Sequence, residues 1–390
     1  MGTLTVSKTN DYLLRDGRPW LYLADTAWSA FTNPTREEWT YYLDFRRRQG
    51  FTALQINTMP QPDRSDNSWD APLPFARDQD GSYRWDKPQA EYYQRAGELA
   101  MMAAQCGFVP ALVLLWASMI HGTWQTKTFK TKPLPLELVQ AHVDRLIDAF
   151  AASNPIWIIS GDTDLPEEAK PAYKAALDLV RERTPHLLCM LHIGAGQDQP
   201  RDWVDIYSSY SGHSVESGRH AAQQAADRLQ WEPHRPVLNL EPCYEAMGHG
   251  GHYGRFTAFD VRWAIWAGLL SGAKAGSAYG AHGVWSWHRS GVPFCAREHW
   301  DEPLDWREAL HLSGAVDMGL VRQIWEDHRL WQLNPRQDLL IDMPPEVRLA
   351  ASKDLTRFAT YIPYPRTLCL NLDLSGYELL LVNLAARQFL

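Results

Sequence analysis

Two carboxylic acids each follow an apolar run of strand length, and their positions suggest acid–base chemistry. Asp162 comes directly after IWIISG, and Glu241 comes directly after VLNL. Glycoside hydrolysis needs two carboxyl groups flanking one bond, one to protonate the leaving oxygen and one to attack the sugar or activate water. Either residue alone is equally well explained as a helix cap or an arginine partner. The pair, together with the aromatic residues around it, favours catalysis.

The elements that must position this pair alternate along the chain as apolar runs and amphipathic helical stretches. Continuous rather than alternating apolar residues are typical of parallel strands buried on both faces. Eight strand–helix units predict an α/β fold, a (β/α)8 TIM barrel. The alternative, a doubly wound open sheet, usually carries a Gly-rich turn after its first strand, and LADTAW has no glycine. The predicted strands are 21–28, 51–59, 108–116, 155–162, 187–194, 204–213, 236–242 and 276–287.

The pattern changes near residue 333, where short β-like segments separated by prolines replace the strand–helix units. RFATYIPY, TLCLNLDL and YELLLVN are examples of these segments. Short apolar runs bounded by turn residues are typical of antiparallel strands. We therefore predict two domains: a catalytic barrel over 1–332 and a small C-terminal antiparallel β domain, similar to a β-sandwich, over 333–390.

The composition excludes several classes of protein. With 38 Lys and Arg against 46 Asp and Glu, the formal net charge is −8 and no basic block interrupts it, so we expect neither nucleic acid nor a membrane surface as partner. No apolar stretch reaches the roughly 18 residues of a membrane helix. Five scattered cysteines and no signal-peptide pattern predict a cytoplasmic protein. The 18 Trp and 16 Tyr could fill a large core or stack on sugar rings.

Active sites of barrel enzymes lie at the carboxyl ends of the strands, which defines the candidate ligand contacts. Their polar members would hydrogen-bond sugar hydroxyls and their aromatic members would stack on the ring, although core packing is the alternative for each one singly. The mix contains little Lys or Arg, which suits a neutral polyhydroxylated ligand. The predicted contacts are Asp25, Trp28, Asn57, Trp116, His121, Asp164, His192, Tyr210, Tyr244, Tyr279, His282, Trp285 and Trp287. Gln55, Tyr207, His213, Glu245 and His288 also lie near strand ends and are given no specific role.

Other chemistries have weaker support in the sequence. His249 and His252, in GHGGHYG, have metal-ligand spacing but lie in a glycine-rich loop, so we interpret them as loop or substrate contacts. A metal-dependent barrel hydrolase would carry H-x-H on its first strand, where Asp25 stands instead. No phosphate-binding loop and no serine-nucleophile elbow is present. The sequence predicts neither a metal ion nor a cofactor.

Several blocks of the chain resemble the apiosidase-like glycoside hydrolases. They are LADTAWSAF with REEWTYYLDFRRRQGFTALQ, then IWIISGD, LNLEPCYE and DVRWAIWAGLLSGAKAGSAYGAHGVWSW, in order over about residues 10–330. The resemblance implies a (β/α)8 barrel followed by a small β-sandwich-like domain, and the removal of apiose from plant pectin side chains. It also implies that Gly161-Asp162 and Glu241 are the strand-four and strand-seven positions of the active site. Ser160 stands where the family often has glycine.

These observations lead to one favoured hypothesis and two alternatives. The favoured one is an exo-acting and retaining glycosidase that cleaves a terminal, apiose-like or other furanose or pentose sugar from a small plant-derived glycoside, with Glu241 as nucleophile and Asp162 as general acid. A retaining mechanism requires a carboxyl separation of about 5 Å, and an inverting one about 6.5–9.5 Å. The alternatives are a catalytically silent carbohydrate-binding barrel and a transglycosylase using the same two carboxylates. A homo-oligomer is left open.

Overall fold

Eight parallel strands form a sheet that nearly closes into a barrel, which confirms the predicted fold class. The computed structural model describes residues 2–67, 69–194, 197–248 and 254–390. In the sheet the strands are ordered β5-β4-β3-β2-β1-β8-β7-β6, and every neighbouring pair is parallel. In chain order the strands are β1 Tyr22–Thr26, β2 Ala53–Asn57, β3 Val109–Trp116, β4 Ile156–Gly161, β5 Cys189–Met190, β6 Tyr207–Tyr210, β7 Val237–Glu241 and β8 Gly276–Tyr279.

The seam between β5 and β6 has no regular ladder, and one aspartate bonds across it. The backbone N of Asp205 donates to Cys189 O (2.8 Å), and the Asp205 carboxylate accepts from Cys189 N (2.8 Å). Arg181 Nη1 lies 2.9 Å from the same carboxylate. The barrel is therefore held together where its two edge strands meet, at the amino-terminal ends of those strands and opposite to the ends that carry the site.

Helices cover the outside of the sheet, as expected for strands that are buried on both faces. The first helix is capped by Thr35, whose side chain accepts from Glu38 N in a capping box. Two polar side chains of this helix, Tyr42 and Arg46, are buried. In the described chain, no helix separates β5 from β6. The helices are α1 Arg36–Arg48, α2 Ala90–Gln105, α3 Trp124–Phe129, α4 Val139–Phe150, α5 Lys170–Arg183, α6 Ser217–Arg228, α7 Ala258–Leu269, α8 Trp306–Ala309 and α9 Ser313–Asp327.

Small antiparallel sheets lie outside the barrel. The N-terminal sheet (Leu4–Val6, Leu13–Arg15, Arg18–Trp20) and a hairpin in the loop after β2 (Phe75–Arg77, Tyr83–Pro88) have no counterpart in the sequence prediction. Beyond the barrel, short strands appear where the sequence predicts a β region. They form a three-stranded sheet (Asn334–Pro335, Arg348–Ala351, Phe358–Tyr361) and a two-stranded ribbon (Val382–Asn383, Gln388–Phe389).

The eighth strand is much shorter than the sequence predicts. It ends at Tyr279, and the apolar residues up to 287 form turns. Gly283 has a φ of +137°, a conformation that side chains with a Cβ rarely adopt, so the chain bends there. Elsewhere, no helix of the described ranges is both long and apolar enough to cross a membrane.

Candidate active site

Glu241, the last residue of β7, is surrounded by three polar side chains. His192 Nε2 lies 2.7 Å from its Oε2, while His213 Nε2 and the Tyr244 hydroxyl contact its Oε1 at 3.2 and 2.5 Å. Burial alone would raise the pKa of Glu241, but the contacts with His192 and His213 outweigh it and hold the pKa below the usual range. Glu241 is therefore a carboxylate at neutral pH, as a nucleophile must be.

His192 connects the two carboxylic residues. The backbone N–H of Asp162 donates to His192 Nδ1 at 2.6 Å, so Nδ1 acts as an acceptor. In a neutral imidazole the proton must then be on Nε2, the atom that faces Glu241. One fully buried ring thus joins the main chain of the β4 residue to the carboxylate of the β7 residue.

Asp162 lies immediately after β4 in a left-handed conformation, with a φ of +44°. Its Oδ2 accepts from Gln125 Nε2 at 2.9 Å, and Gln125 in turn accepts from Trp116 Nε1 at 2.8 Å. No described residue donates a hydrogen bond to its Oδ1. Burial, and next the negative charge of Glu241, raise the pKa of Asp162 well above its usual range. The two carboxyl groups are thereby driven to opposite protonation states.

Aromatic rings pack around this pair. The Trp28 and Trp116 rings meet edge to face at 5.0 Å, and Trp116 stacks on His192 at 5.9 Å. Trp28 Nε1 donates to the Tyr244 hydroxyl at 3.0 Å, which fixes the residue that donates to Glu241. Tyr210 approaches His192 at 5.8 Å, and its pKa is raised by burial and then by the charge of Glu241. These flat faces around two carboxyls suit a sugar ring.

The chain matches a known protein family over most of its length. Residues 7–332 match the model of the apiosidase-like catalytic domain. The chain belongs to the apiosidase-like family. It is accordingly a glycoside hydrolase, and the resemblance seen in the sequence is confirmed. No curated protein sequence matches the chain.

Solved structures show the same fold as this apiosidase-like chain. A glycoside hydrolase aligns over 90% of the chain and 81% of its own length, with a TM-score of 0.72 and 19% identity. A family 5 glycoside hydrolase from Bacteroides vulgatus aligns over 90% and 79%, with a TM-score of 0.71 and 18% identity. A family 5 mannosidase from Rhizomucor miehei aligns over 84% and 99%, at 0.56 and 9%. At these identities the likeness establishes the barrel fold.

Asp25, one of the predicted ligand contacts, binds side chains of α1 instead. Its side chain is fully buried, and its Oδ2 accepts from Arg46 Nε and from the Tyr42 hydroxyl, both at 2.6 Å. Arg46 and Tyr42 come from α1, so the carboxylate ties that helix to β1. Asp25 is a structural residue in this structure and is not brought to the Glu241 cluster.

The predicted contacts after β8 are also turned into the protein. The Tyr279 hydroxyl donates to Glu245 Oε2 at 2.6 Å, and His282 lies between Trp285 Nε1 (3.1 Å) and Asp301 O (2.6 Å). Burial lowers the pKa of His282 to about 3, so it is neutral. Trp287 is fully buried and stacks on Trp306. Of this group Trp285 is nearest the site, because its ring packs behind Tyr244 at 6.4 Å.

Three further predicted contacts lie at or beyond strand ends on the same side of the barrel. Asn57 ends β2, and its Nδ2 is buried without a hydrogen-bond partner in the described ranges. Asp164 accepts from Trp124 N at 3.2 Å, and His121 is exposed. The predicted loop contacts His249 and His252 lie outside the described residues. Within the described residues, no cluster of His, Cys, Asp or Glu could hold a metal ion.

Sequence reasoning missed four residues of the site. The sequence places His213 at a strand end but gives it no role. Gln125 and Trp124 come from α3, in a segment after β3 that the sequence predicts only as a long loop. Asp63, in the loop after β2, carries a third carboxyl, whose pKa is raised to about 6 by burial and by the charge of Glu241. Asp63 is one of several acids in a polar loop, and no spacing distinguishes it.

Proposed function

We propose that this protein is an exo-acting, retaining glycosidase that removes a terminal pentose or furanose sugar, such as apiose, from a small plant-derived glycoside. The observation that carries the proposal is the pair of opposite pKa shifts, down at Glu241 and up at Asp162. A retaining glycosidase needs one ionised and one protonated carboxyl at the same bond.

The residues supply each step of that reaction. The Glu241 carboxylate attacks the anomeric carbon while the Asp162 carboxyl gives its proton to the glycosidic oxygen, so the leaving group departs as a neutral alcohol. The sugar is then an ester of Glu241. Asp162, now ionised, takes a proton from water as that water attacks the anomeric carbon and displaces the Glu241 carboxylate. The hydrolysed sugar leaves, and both carboxyls return to their starting protonation states.

Several features support this choice of mechanism and substrate. One imidazole contacts both Asp162 N and Glu241 Oε2, so the two carboxylic residues lie at one site, as a pair that acts on one bond requires. No Lys or Arg of the described chain bonds to either carboxyl, which favours a neutral ligand over an acidic sugar or a phosphate. The five free thiols fit a cytoplasmic enzyme that acts on imported glycosides.

The test is hydrolysis of a panel of aryl glycosides, including apiosides and other pentosides and furanosides. We expect release from one sugar by the wild type and a loss of at least about 100-fold in Asp162→Asn and Glu241→Gln, the usual range for acid–base groups. Asp44→Asn, on the exposed face of α1, is the matched control and should leave the rate unchanged.

The first product shows whether the mechanism is retaining. Proton NMR of the reaction mixture should detect the sugar with the anomeric configuration of the substrate, and inversion would overturn the retaining part of the proposal. Equal rates for wild type and Asp162→Asn would remove Asp162 from the mechanism. Binding without turnover across the panel would favour the silent carbohydrate-binding alternative, and sugar transfer to an added acceptor in preference to water would favour the transglycosylase.

A further inference from the structure

An exposed tryptophan is attached directly to the residue that acts as general acid. Trp124 is the first residue of α3, and 39% of its surface is exposed. Its Nε1 donates to Asp162 O at 2.8 Å, and its backbone N donates to Asp164 Oδ1 at 3.2 Å. The next residue, Gln125, holds the Asp162 carboxyl. The indole is thus anchored on the same few atoms that position the acid.

The exposed part of this side chain is hydrocarbon. The indole N–H is its one polar atom, and that atom is already bonded to Asp162 O. Leaving the remaining ring surface in water is unfavourable unless a ligand covers it, because apolar surface gains free energy on burial. A flat carbon face held in a fixed position is also the surface on which sugar and aryl rings stack.

The chemistry of the acid fixes which part of a substrate would reach this face. A general acid gives its proton to the oxygen of the departing group, so the leaving group lies on the acid's side of the bond. The rings around Glu241, by contrast, are nearly inaccessible: Trp28, Trp116 and Tyr244 are each 5% exposed or less. The exposed indole, which is bonded to Asp162, therefore lies on the side where the leaving group departs.

Other exposed apolar side chains lack this connection. In the part of the chain that the structure describes, Trp124 is the one exposed large apolar residue with a hydrogen bond to Asp162 or Glu241. Tyr41, for comparison, is 46% exposed on α1 and contacts the rings of Phe45 and Trp306. Tyr41 therefore serves as a control of matched exposure.

We propose that Trp124 is the platform for the leaving group, and that it selects glycosides whose leaving group presents a flat, carbon-faced ring. This inference rests on the proposed glycosidase function and deepens it, because it names the chemical class of the aglycone: an aromatic alcohol or the C–H face of a second sugar. Small alkyl leaving groups have no face to stack on Trp124, so they gain nothing from it.

The first measurement is binding of isolated ring probes, which does not depend on turnover. The dissociation constants of para-nitrophenol and of a methyl xyloside are measured by NMR titration with wild type, Trp124→Ala, Trp124→Phe and Tyr41→Ala. We expect Trp124→Ala to weaken binding of at least one probe by about tenfold, the order of one aromatic stacking contact. Trp124→Phe should keep most of the affinity, and Tyr41→Ala should equal the wild type. The probe that responds tells whether the platform takes aryl rings, sugar rings or both.

The second measurement compares two leaving groups on the same sugar. For an aryl glycoside, kcat/KM should fall by about tenfold in Trp124→Ala, while for the glycosyl fluoride the fall should be several times smaller because fluoride is too small to touch the indole. Trp124→Phe separates the contribution of the ring face from that of the hydrogen bond to Asp162 O, because phenylalanine has a ring but no N–H. If Phe is as impaired as Ala, the N–H bond and not the ring face matters, and the platform is overturned.

Failure of this inference differs from failure of the glycosidase assignment. Equal losses with aryl glycoside and fluoride, or unchanged binding of both probes in Trp124→Ala, would overturn the platform while wild-type hydrolysis still supports the enzyme. Trp124-dependent binding of a probe, in a wild type that cleaves no glycoside, would support the platform and overturn the proposed function.

Discussion

Both Asp162 and Glu241 are subject to burial, yet their pKa values shift in opposite directions. Asp162 receives one amide hydrogen bond, from Gln125, and faces the charges of Glu241 and Asp63. Glu241 instead has the imidazoles of His192 and His213 and a tyrosine hydroxyl against its oxygens. The hydrogen-bond and charge partners, not the depth of burial, therefore set the direction of each pKa shift, and this difference is what the proposed roles of acid and nucleophile require.

His213 offers a direct test of this division of roles. Removing its Nε2 in His213→Ala takes away one of the contacts that lower the pKa of Glu241, so that pKa should rise. Activity requires ionised Glu241, and the acid limb of the kcat/KM profile should therefore move to higher pH. At the lowest pH values of the profile, kcat/KM should be about tenfold or more below that of the wild type, as expected for the loss of a hydrogen bond to a charged group. The measurement is kcat/KM against pH.

Controls separate this positioning role from a structural one. His213→Asn keeps a donor on the same stem and should restore part of the shift. If His213→Ala lowers kcat/KM equally at every pH, the side chain only supports the fold, and its proposed influence on the Glu241 pKa is wrong.

At the scale of elements, Gly161 lets β3 and β4 approach each other closely, and this approach allows α3 to contact Asp162. A Cβ on Gly161 would lie 2.3 Å from Trp116 Cε3 and 2.8 Å from Val113 Cγ1, so no side chain fits there without movement. Trp116 donates a hydrogen bond to Gln125, and Gln125 donates one to the Asp162 carboxyl. The close approach of β3 and β4 at this point is therefore part of how the acid is positioned.

Gly161→Ala should break this chain of contacts. The added methyl group must displace Trp116, and we expect a loss of about 1–3 kcal/mol in the free energy of unfolding, typical of overpacking. The larger effect should be on kcat, because the Gln125 bond to Asp162 is disturbed. Urea denaturation and steady-state kinetics measure the two effects. A variant that retains full kcat despite the lost stability would show that the Trp116–Gln125 contact does not position the acid.

The elements also explain how far the sequence could predict the site. Asp162 and Glu241 follow long apolar runs, and a parallel barrel brings all such strand ends to one face, so their positions could be predicted. Trp285 and Trp287 follow an equally apolar run, but that run bends after Tyr279 and buries them. Hydrophobicity alone does not distinguish a strand from a buried turn.

Loop residues escaped prediction for a different physical reason. Asp63, Trp124 and Gln125 reach the site through loop conformations set by long-range contacts, and no local period encodes these. Asp25 shows the opposite kind of error. It lies near a strand end and is therefore predicted to contact the ligand, but Arg46 of α1 binds it inside the protein. That pairing depends on packing of α1 against the sheet, which a single sequence does not reveal.

At the scale of the whole molecule, the C-terminal residues are joined to the barrel by many contacts. Tyr361 stacks on Trp266 of α7, with an interplanar angle of 13°, and belongs to the same buried cluster as the barrel. Arg348 Nε donates to Ser271 Oγ at 2.8 Å, and Arg387 Nε donates to the buried Asp317 at 2.8 Å. The separate buried cluster of this region contains only Leu339, Leu349 and Ala351 among the described residues.

So small a separate core cannot offset the entropy of ordering more than fifty residues, and we expect the region predicted as a domain over 333–390 to unfold together with the barrel. Calorimetry should record one cooperative transition. Tyr361→Ala should lower its midpoint, with a loss of about 3 kcal/mol in the free energy of unfolding, as for other buried aromatic residues. Tyr364→Ala, three residues on and 45% exposed, should leave it unchanged. A second, smaller transition that alone responds to Tyr361→Ala would instead show that the C-terminal region is stable by itself, since its unfolding would then be independent of the barrel.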